Sequence, residues 1–374
     1  MSSFPSTWLE VDLAAIRNNL ALIRKEVAPG AAVIAVVKAN AYGHGLAAVG
    51  IEAERAGAAS LGVALVDEGV QLREAGVRIP TLVMASIQPA QAAEAVRHGL
   101  TCALCEADVA RALSTAAVDQ GRRASVEIKL DTGMGRVGIP PDRLPSFLEE
   151  SGSLPGLVVE GVFSHLSAAE EADPAYSLYQ LEQLLKARCD CSDPRWRWHL
   201  SNSAAAVGLP QCRLDAVRVG LLVYGLNPLE AVAPLALEPA ACWKTRVAFV
   251  KECPPGRFLS YGRAYETRSP ARIATLAVGY ADGYPRALSN VGEVLLGGKR
   301  APIRGRICMD QMLVEVPAGV EARVGDEVVL MGQQGQERIT AEELAERAGS
   351  ITHEILARLG TRMERWYRGR RTED

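Results

Sequence analysis

The sequence predicts a parallel (β/α)8 barrel followed by a smaller, mostly-β domain. Short β-rich runs alternate eight times with stretches of helical spacing, the pattern of a closed parallel barrel. From about Leu235 the texture changes to Val/Arg/Glu alternation broken by Pro-Pro-Gly, Gly-Gly and Val-Gly-Asp turns, as expected of a strand-rich second domain. The 374 residues also exceed what one hydrophobic core usually organises. The expected division is 1–234 for the barrel and 235–374 for the β domain.

Taken in order, Thr7 to Val11 is a strand-like run ahead of the barrel that is expected to pair with the second domain. Asp12 to Glu26 carries Leu13, Ile16, Leu20 and Ile23 on one stripe and predicts a helix. The barrel strands are expected at Ala32 to Lys38, Ser60 to Ala64, Thr81 to Ala85, Thr101 to Cys105, Ser125 to Leu130, Glu160 to Ser164, Arg197 to Ser201 and Ala216 to Leu222. Helical patterns such as Glu106 to Gln120 lie between them. Asn227 to Pro239, with three prolines, reads as the linker. Beyond it, Tyr261-Gly262 and Gly279 to Arg286 read as turns, Gly305 to Asp310 as a strand and Ala341 to Ala348 as a helix.

Lys+Arg 41 against Asp+Glu 44 leaves a net charge of −3, which gives no global attraction to nucleic acid or anionic lipid. Met1 to Glu10 has no basic region followed by an apolar stretch, and the longest apolar runs, such as Ala31 to Val37, are too short to cross a bilayer. The expectation is a cytoplasmic protein whose 8 cysteines are reduced. Cys102-x-x-Cys105 lies in an apolar segment with no second pair, and it and Cys189-x-Cys191 read as buried packing rather than zinc or redox chemistry. No metal site is expected.

Reactive residues in such a barrel gather at the C-terminal ends of the strands, and phosphate binds at the loops after the seventh and eighth. The first strand closes with Val37-Lys38-Ala39-Asn40-Ala41-Tyr42-Gly43-His44-Gly45. A lysine ending an apolar strand is either a snorkelling surface side chain or an amine made nucleophilic by surroundings that lower its pKa. The seventh strand ends in His199-Leu200-Ser201-Asn202-Ser203-Ala204 and the eighth in Arg218-Val219-Gly220-Leu221. Small hydroxyl and amide side chains opening a helix beside a glycine make an anion site, although Ser-Asn-Ser alone is an ordinary helix cap. Combined with Lys38, they suggest a ligand with both an aldehyde and a phosphate, which describes pyridoxal 5'-phosphate. The fifth strand runs on through Lys129 to a Gly-rich turn and Arg136. The sixth ends in Ser164-His165, where His165 reads equally well as a hydrogen-bonded core imidazole.

As a set and in order, Val36 to Gly45, Lys129 to Gly138, Asn202-Ser203-Ala204, Tyr224-Gly225, Gly279 to Pro285 and Arg306 to Asp310 resemble the pyridoxal-phosphate-dependent alanine racemases over nearly the whole chain. The resemblance implies that Lys38 carries the cofactor as an imine and that Tyr42, Asn202, Ser203 and the backbone around Gly220 and Leu221 hold its phosphate. It implies that Arg218 faces the pyridine nitrogen, supported by His199. Arg136 would steady the phenolic oxygen and the substrate carboxylate, paired in many members with a carbamylated lysine matching Lys129. Tyr261 would be the second base, hydrogen-bonded to His165, with Met309 contributing its backbone to the substrate carboxylate and Tyr280 crowding the pocket. It further implies a homodimer in which one chain's C-terminal domain completes the other chain's site, and D-alanine made for peptidoglycan. One stretch departs from the family: Thr361-Arg362-Met363-Glu364-Arg365 stands where members often have Tyr-Arg-Val-Pro-Arg, whose Tyr touches the phosphate and narrows the entrance.

Racemisation takes a proton from one face of the α-carbon and returns one to the other, a requirement that Lys38 and Tyr261 would meet together. An ordinary tyrosine, with a pKa near ~10, needs positive neighbours such as Arg136 or a His165/Arg218 pair to act as phenolate near neutral pH. Arg218 cannot take a proton and would leave the pyridine nitrogen neutral, weakening the electron sink. Three alternatives share features. A decarboxylase has the same two-domain plan but typically sets a glutamate at that nitrogen, a non-catalytic carrier lacks the second domain, and a racemase of serine or of broad specificity differs only in its pocket.

Overall fold

The computed structural model describes residues 5–191 and 193–369. The extremes of the two expected domains, 1–4 and 370–374, lie outside the described residues, as does the start of the Met1 to Glu10 segment. Strand β1 (Thr7–Asp12) leads the chain. It is followed by β2 (Ala32–Val36), β3 (Ser60–Val63), β4 (Thr81–Val83), β5 (Thr101–Leu104), β6 (Ala124–Lys129), β7 (Leu157–Phe163), β8 (Arg197–His199) and β9 (Ala216–Val219). Strands β2 to β9 pair in parallel in chain order and β9 closes onto β2, so all eight expected barrel strands are present. Their apolar runs are continuous because a parallel barrel strand is buried on both faces: Val33, Ile34, Ala35 and Val36 are all buried. Several strands stop short of the expected ends; β2 ends at Val36 and residues 221–224 form a 3-10 turn rather than more of β9.

The chain forms two compact units, one of Ala14–Ala41 with Leu46–Pro239, the other of Met1–Leu13 with Tyr42–Gly45 and Ala240–Asp374. The division therefore falls after Pro239 rather than after residue 234. The proline-rich segment stays with the barrel because its backbone is tied there: Glu238 N–H donates to Asn19 Oδ1 at 2.8 Å and Asn19 Nδ2 donates back to the Glu238 carbonyl at 2.8 Å.

In the second unit β1 pairs antiparallel with β10 (Ala241–Cys253), Leu9 opposite Trp243, and parallel with the strand Glu364–Arg368. This is the pairing expected of the leading run. Trp8 packs against Trp366 with the rings tilted and 5.3 Å apart, and the buried Glu10 is neutralised by Lys244 at 3.1 Å and Arg368 at 2.6 Å. The helix expected at 341–348 is present, followed by an unexpected one at Thr352–Ala357. Gly305 to Asp310 is a loop, not a strand. Its amides are taken by side chains and a tight turn, Gly305 N–H by Asn290, Ile307 N–H by Ser289 Oγ and Cys308 N–H by the Gln311 carbonyl, so pairing begins only at Met312.

Cys102 is buried and Cys105 half-buried, as a packing role requires, but Cys189 is exposed and Cys191 half-exposed. They sit at the worn C-terminal end of the helix Ala175–Asp190 and just beyond it, where no core covers them.

Candidate active site

Lys38 does not end a strand; it opens a left-handed turn. Ala39, Asn40, Ala41 and Tyr42 have φ of 54°, 55°, 54° and 51°. Each non-glycine residue there costs about 1–2 kcal/mol, so four in succession need outside support. Asn40 Oδ1 accepts from Leu46 N–H at 2.8 Å, and Glu68 Oε1 accepts from Ala39 N–H at 2.6 Å. Gly45, at φ +103°, is confined to glycine twice over, since a Cβ would also lie 1.9 Å from the Tyr367 hydroxyl. The turn re-aims the chain so that the half-buried Lys38 amine lies within the field of two arginines. Burial lowers its pKa, Arg136 and Arg218 lower it further, and Glu68 opposes them.

The floor of the site is a buried relay. His199 Nε2 meets Glu127 Oε2 at 2.7 Å, and Arg218 Nη1 reaches His199 Nδ1 at 2.8 Å. Burial lowers the His199 pKa, so the ring is neutral, and the network fixes its tautomer: the proton on Nε2 points to Glu127 and the Nδ1 lone pair accepts from Arg218. Burial raises the Glu127 carboxyl, but His199, Arg197 and Arg218 outweigh it and hold the pKa below the ordinary carboxylate range. Arg218 Nη2 also donates to the Ser164 and Leu200 carbonyls and lies 3.3 Å from His165 Nδ1. Burial lowers Arg218 to about 10, still a cation at neutral pH. His165 is pushed down to about 3 by burial and then by Arg218, Lys129, Arg136 and Lys38. It is therefore neutral, and the positive pair that the sequence suggested reduces to Arg218 alone.

Phe163 lies at the centre of this floor. His199 stacks on it at 5.0 Å, Lys129 Nζ stands 4.2 Å over its ring and the Arg218 guanidinium 5.3 Å. Burial, then Arg218 and Arg136, bring Lys129 down to about 7, which leaves much of its amine neutral, the state in which an amine takes up carbon dioxide. Gln180, fully buried, ties the loops together: its Nε2 donates to the His165 carbonyl at 3.0 Å and its Oε1 accepts from Ser167 N–H at 2.9 Å. At the loops after β8 and β9, Ser203 Oγ accepts from Gly220 N–H at 3.0 Å and Asn202 caps its helix through Ala205 N–H at 2.9 Å.

Because Glu127 compensates buried positive charge, Glu127→Ala is expected to destabilise the protein by about 3–5 kcal/mol, the usual cost of removing one partner of a buried pair. Urea unfolding at pH 7 would read it, and a loss below about 1 kcal/mol would contradict the relay. Since the folded-state pKa is depressed, this contribution is present above the unfolded carboxyl's pKa and is lost as pH falls through the folded one.

The second unit holds the remaining candidates. Tyr42 is buried beside His353 with rings 5.8 Å apart, and burial pushes its phenol up to about 12. Tyr261, Tyr280 and Met309 are exposed at 71%, 42% and 53%, although all three lie on tied-down loops. Tyr280 N–H donates to the Cys308 carbonyl at 3.1 Å and Ala281 N–H to the Met309 carbonyl at 3.0 Å. That approach needs Gly279, because a Cβ there would stand 2.3 Å from the Met309 oxygen. Ser260, next to Tyr261, donates to the Arg306 carbonyl at 2.6 Å. Arg362 then clamps the loops from below, gripping the buried Asp282 at 2.6 and 3.1 Å and Asp310 at 2.8 Å. Thr361 is exposed.

The first unit thus brings together Lys38, Lys129, Arg136, His165, His199 and Arg218, with Asn202, Ser203, Gly220 and Leu221 on the two following loops. The second brings together Tyr261, Tyr280 and Met309. Sequence reasoning gave no role to Glu68, Glu127, Phe163, Gln180 or Arg362, the last named only within the stretch that departs from the family. Glu127 alone left a trace, as a carboxylate between Val126 and Ile128 in a strand expected to be buried on both faces. Among the described residues no three His, Cys, Asp or Glu side chains are placed to hold a metal ion, and no helix is long and apolar enough to cross a membrane.

The chain is similar to known proteins over nearly its whole length. The family described as alanine racemase, N-terminal domain, matches residues 11–228, and the one described as alanine racemase, C-terminal domain, matches 240–367. The alanine racemase of Symbiobacterium thermophilum is 45% identical over 367 residues, 97% of each chain, and that of Halothermothrix orenii 40% identical over 372 residues, again 97% of each. The crystal structure of the Bacillus anthracis alanine racemase with bound L-Ala-P superposes with a TM-score of 0.92 at 36% identity, covering 99% of this chain and 96% of that one.

Proposed function

The chain belongs to the alanine racemase family and interconverts L- and D-alanine, and from that premise we propose that it works with pyridoxal 5'-phosphate held on Lys38, using Lys38 and Tyr261 as bases on opposite faces of the substrate. The observation that carries this reading is the Lys38 amine, set by a strained turn into the field of Arg136 and Arg218 with its pKa lowered. The donor set suits the group: an amine able to be neutral, a hydroxyl and glycine amide already together at Ser203 and Gly220, and a buried guanidinium. When bound, the group supplies a conjugated system that acidifies the substrate α-carbon.

The chain's own residues do the rest. Tyr42, Asn202, Ser203 and the amides of Gly220 and Leu221 would hold the phosphate. Arg218, a cation at neutral pH, would hold the ring nitrogen as a hydrogen-bond donor that does not give up its proton, so that the group would supply only a weak electron sink. His165 accepts from Arg218 at Nδ1 and carries its proton on Nε2, a donor for the phenolic oxygen of Tyr261. Arg136 and the Met309 backbone orient the substrate carboxylate, and Tyr280 limits the side chain to a small one. The exposure of Tyr261, Tyr280 and Met309 on rigid loops supports a homodimer in which this face covers the barrel of a second copy. The enzyme acts in the cytoplasm and its D-alanine serves peptidoglycan.

The test is α-proton exchange of each amino acid in D2O by the purified protein, together with borohydride reduction and peptide mapping. Alanine should exchange fastest, and the reduced cofactor should be found on the peptide containing Lys38. Label on the Lys129 peptide, or loss of the carboxylate carbon in place of exchange, would overturn the reading.

A further inference from the structure

We propose that Glu68 is a positioning residue for Lys38, a carboxylate that holds the first amide of the left-handed turn and sets its negative charge against the lysine's ammonium. The proposal rests on Lys38 being the reactive amine.

Glu68 lies in the first turn of the helix Val66–Glu74, where Oε2 accepts from Ala64 N–H at 2.8 Å and from Leu65 N–H at 3.2 Å. Those two bonds are what a helix-capping glutamate makes. The third is not: Oε1 reaches away from its own helix to Ala39 N–H at 2.6 Å, the residue after Lys38 and the first with positive φ. One carboxylate thus joins the loop after β3 to the turn after β2. Three amides fix its direction, so its charge does not swing away into solvent.

The charge has a specific place to act. Arg136, on the loop after β6, and Arg218, on β9, both oppose a proton on Lys38; His165, after β7, is neutral and faces it too; Glu68 favours the proton. A base that must accept a proton and return one needs its conjugate acid to be accessible. The buried guanidinium of Arg218 and the exposed one of Arg136 both work against it. Glu68 works the other way and favours the protonated state, and the turn cannot rotate Lys38 out of line without breaking the Ala39 bond.

The experiment uses the full chain freed of cofactor. Lys38 is methylated with formaldehyde and cyanoborohydride across a pH series, and its extent is read on the Lys38 peptide by mass spectrometry. Only the neutral amine reacts, so the midpoint reports its protonation. Glu68→Gln keeps an acceptor for Ala39 and removes the charge, and the midpoint is expected to fall by about one pH unit, as for the loss of a nearby opposite charge. Asp67→Asn, an exposed neighbour on the same turn, is expected to leave it unchanged. An unmoved midpoint in Glu68→Gln, or an equal shift in Asp67→Asn, would overturn the proposal. If Glu68→Gln does not fold by circular dichroism, Glu68→Asp, which withdraws the charge by one carbon, should shift the midpoint in the same direction by less, and no shift there overturns the proposal as well. Failure of the racemase reading is seen separately, as borohydride label on a peptide other than that of Lys38.

Discussion

Tyr261→Phe is expected to lose racemisation by about 10²-fold or more, the usual cost of removing a general base, while still carrying its cofactor on Lys38. The fold should be untouched, because Tyr261 is 71% exposed on the short turn Tyr261–Arg263 and its hydroxyl makes no hydrogen bond among the described residues. The neighbouring Ser260, which does anchor the turn through the Arg306 carbonyl, remains in the variant. With the phenol gone, Lys38 still reaches one face of the α-carbon. Residual exchange of the α-proton in D2O should therefore persist for one enantiomer of alanine and nearly vanish for the other. Equal losses for both would mean that a single base serves the two faces, and the division of labour between Lys38 and Tyr261 would have to be abandoned.

Mixing two inactive chains is expected to restore about half of the wild-type activity, as follows from two-fold symmetry with each site drawn from both copies. Lys38→Ala and Tyr261→Phe chains carrying different tags are co-expressed and the mixed dimer is isolated through both tags. If the Tyr261 face of one copy covers the barrel of the other, one site collects both lesions and its twin has Lys38 and Tyr261 intact. If each site is completed within one chain, every site carries a lesion and activity stays at the level of the single variants. The contrast is large because each lesion alone removes most of the turnover. An inactive mixed dimer of verified composition would refute the shared site.

The barrel was legible because burial on both faces leaves a signal that neighbouring residues carry by themselves, as in Ala-Val-Ile-Ala-Val of β2. Lys38 stood out as a charge closing such a run. The left-handed turn was not legible: Ala39 and Ala41 are good formers of ordinary helix, and only Asn40 and the glycines at 43 and 45 hint at positive φ. Glu127 was passed over because its partners are distant in sequence, Arg197 70 residues on and His199 72. Arg362 grips Asp282 across 80 residues, and nothing at either position announces the other. Gly305 to Asp310 has strand-like composition, yet its amides go to Asn290 and Ser289, which composition cannot foretell.

The pairing of β1 with the far end of the chain has a consequence for synthesis. Thr7 bonds to Lys244, 237 residues away, and the parallel partner Glu364–Arg368 lies further along still. At about 5–20 residues per second the leading strand waits roughly 10–50 s for its first neighbour. During that interval the whole β/α stretch can emerge and close, while Trp8 and Leu9, both fully buried in the finished protein, remain in water on an unpaired edge. A ribosome that stalls between Pro239 and Cys253 would leave a finished barrel with an unpaired apolar strand, a form exposed to aggregation and to chaperones.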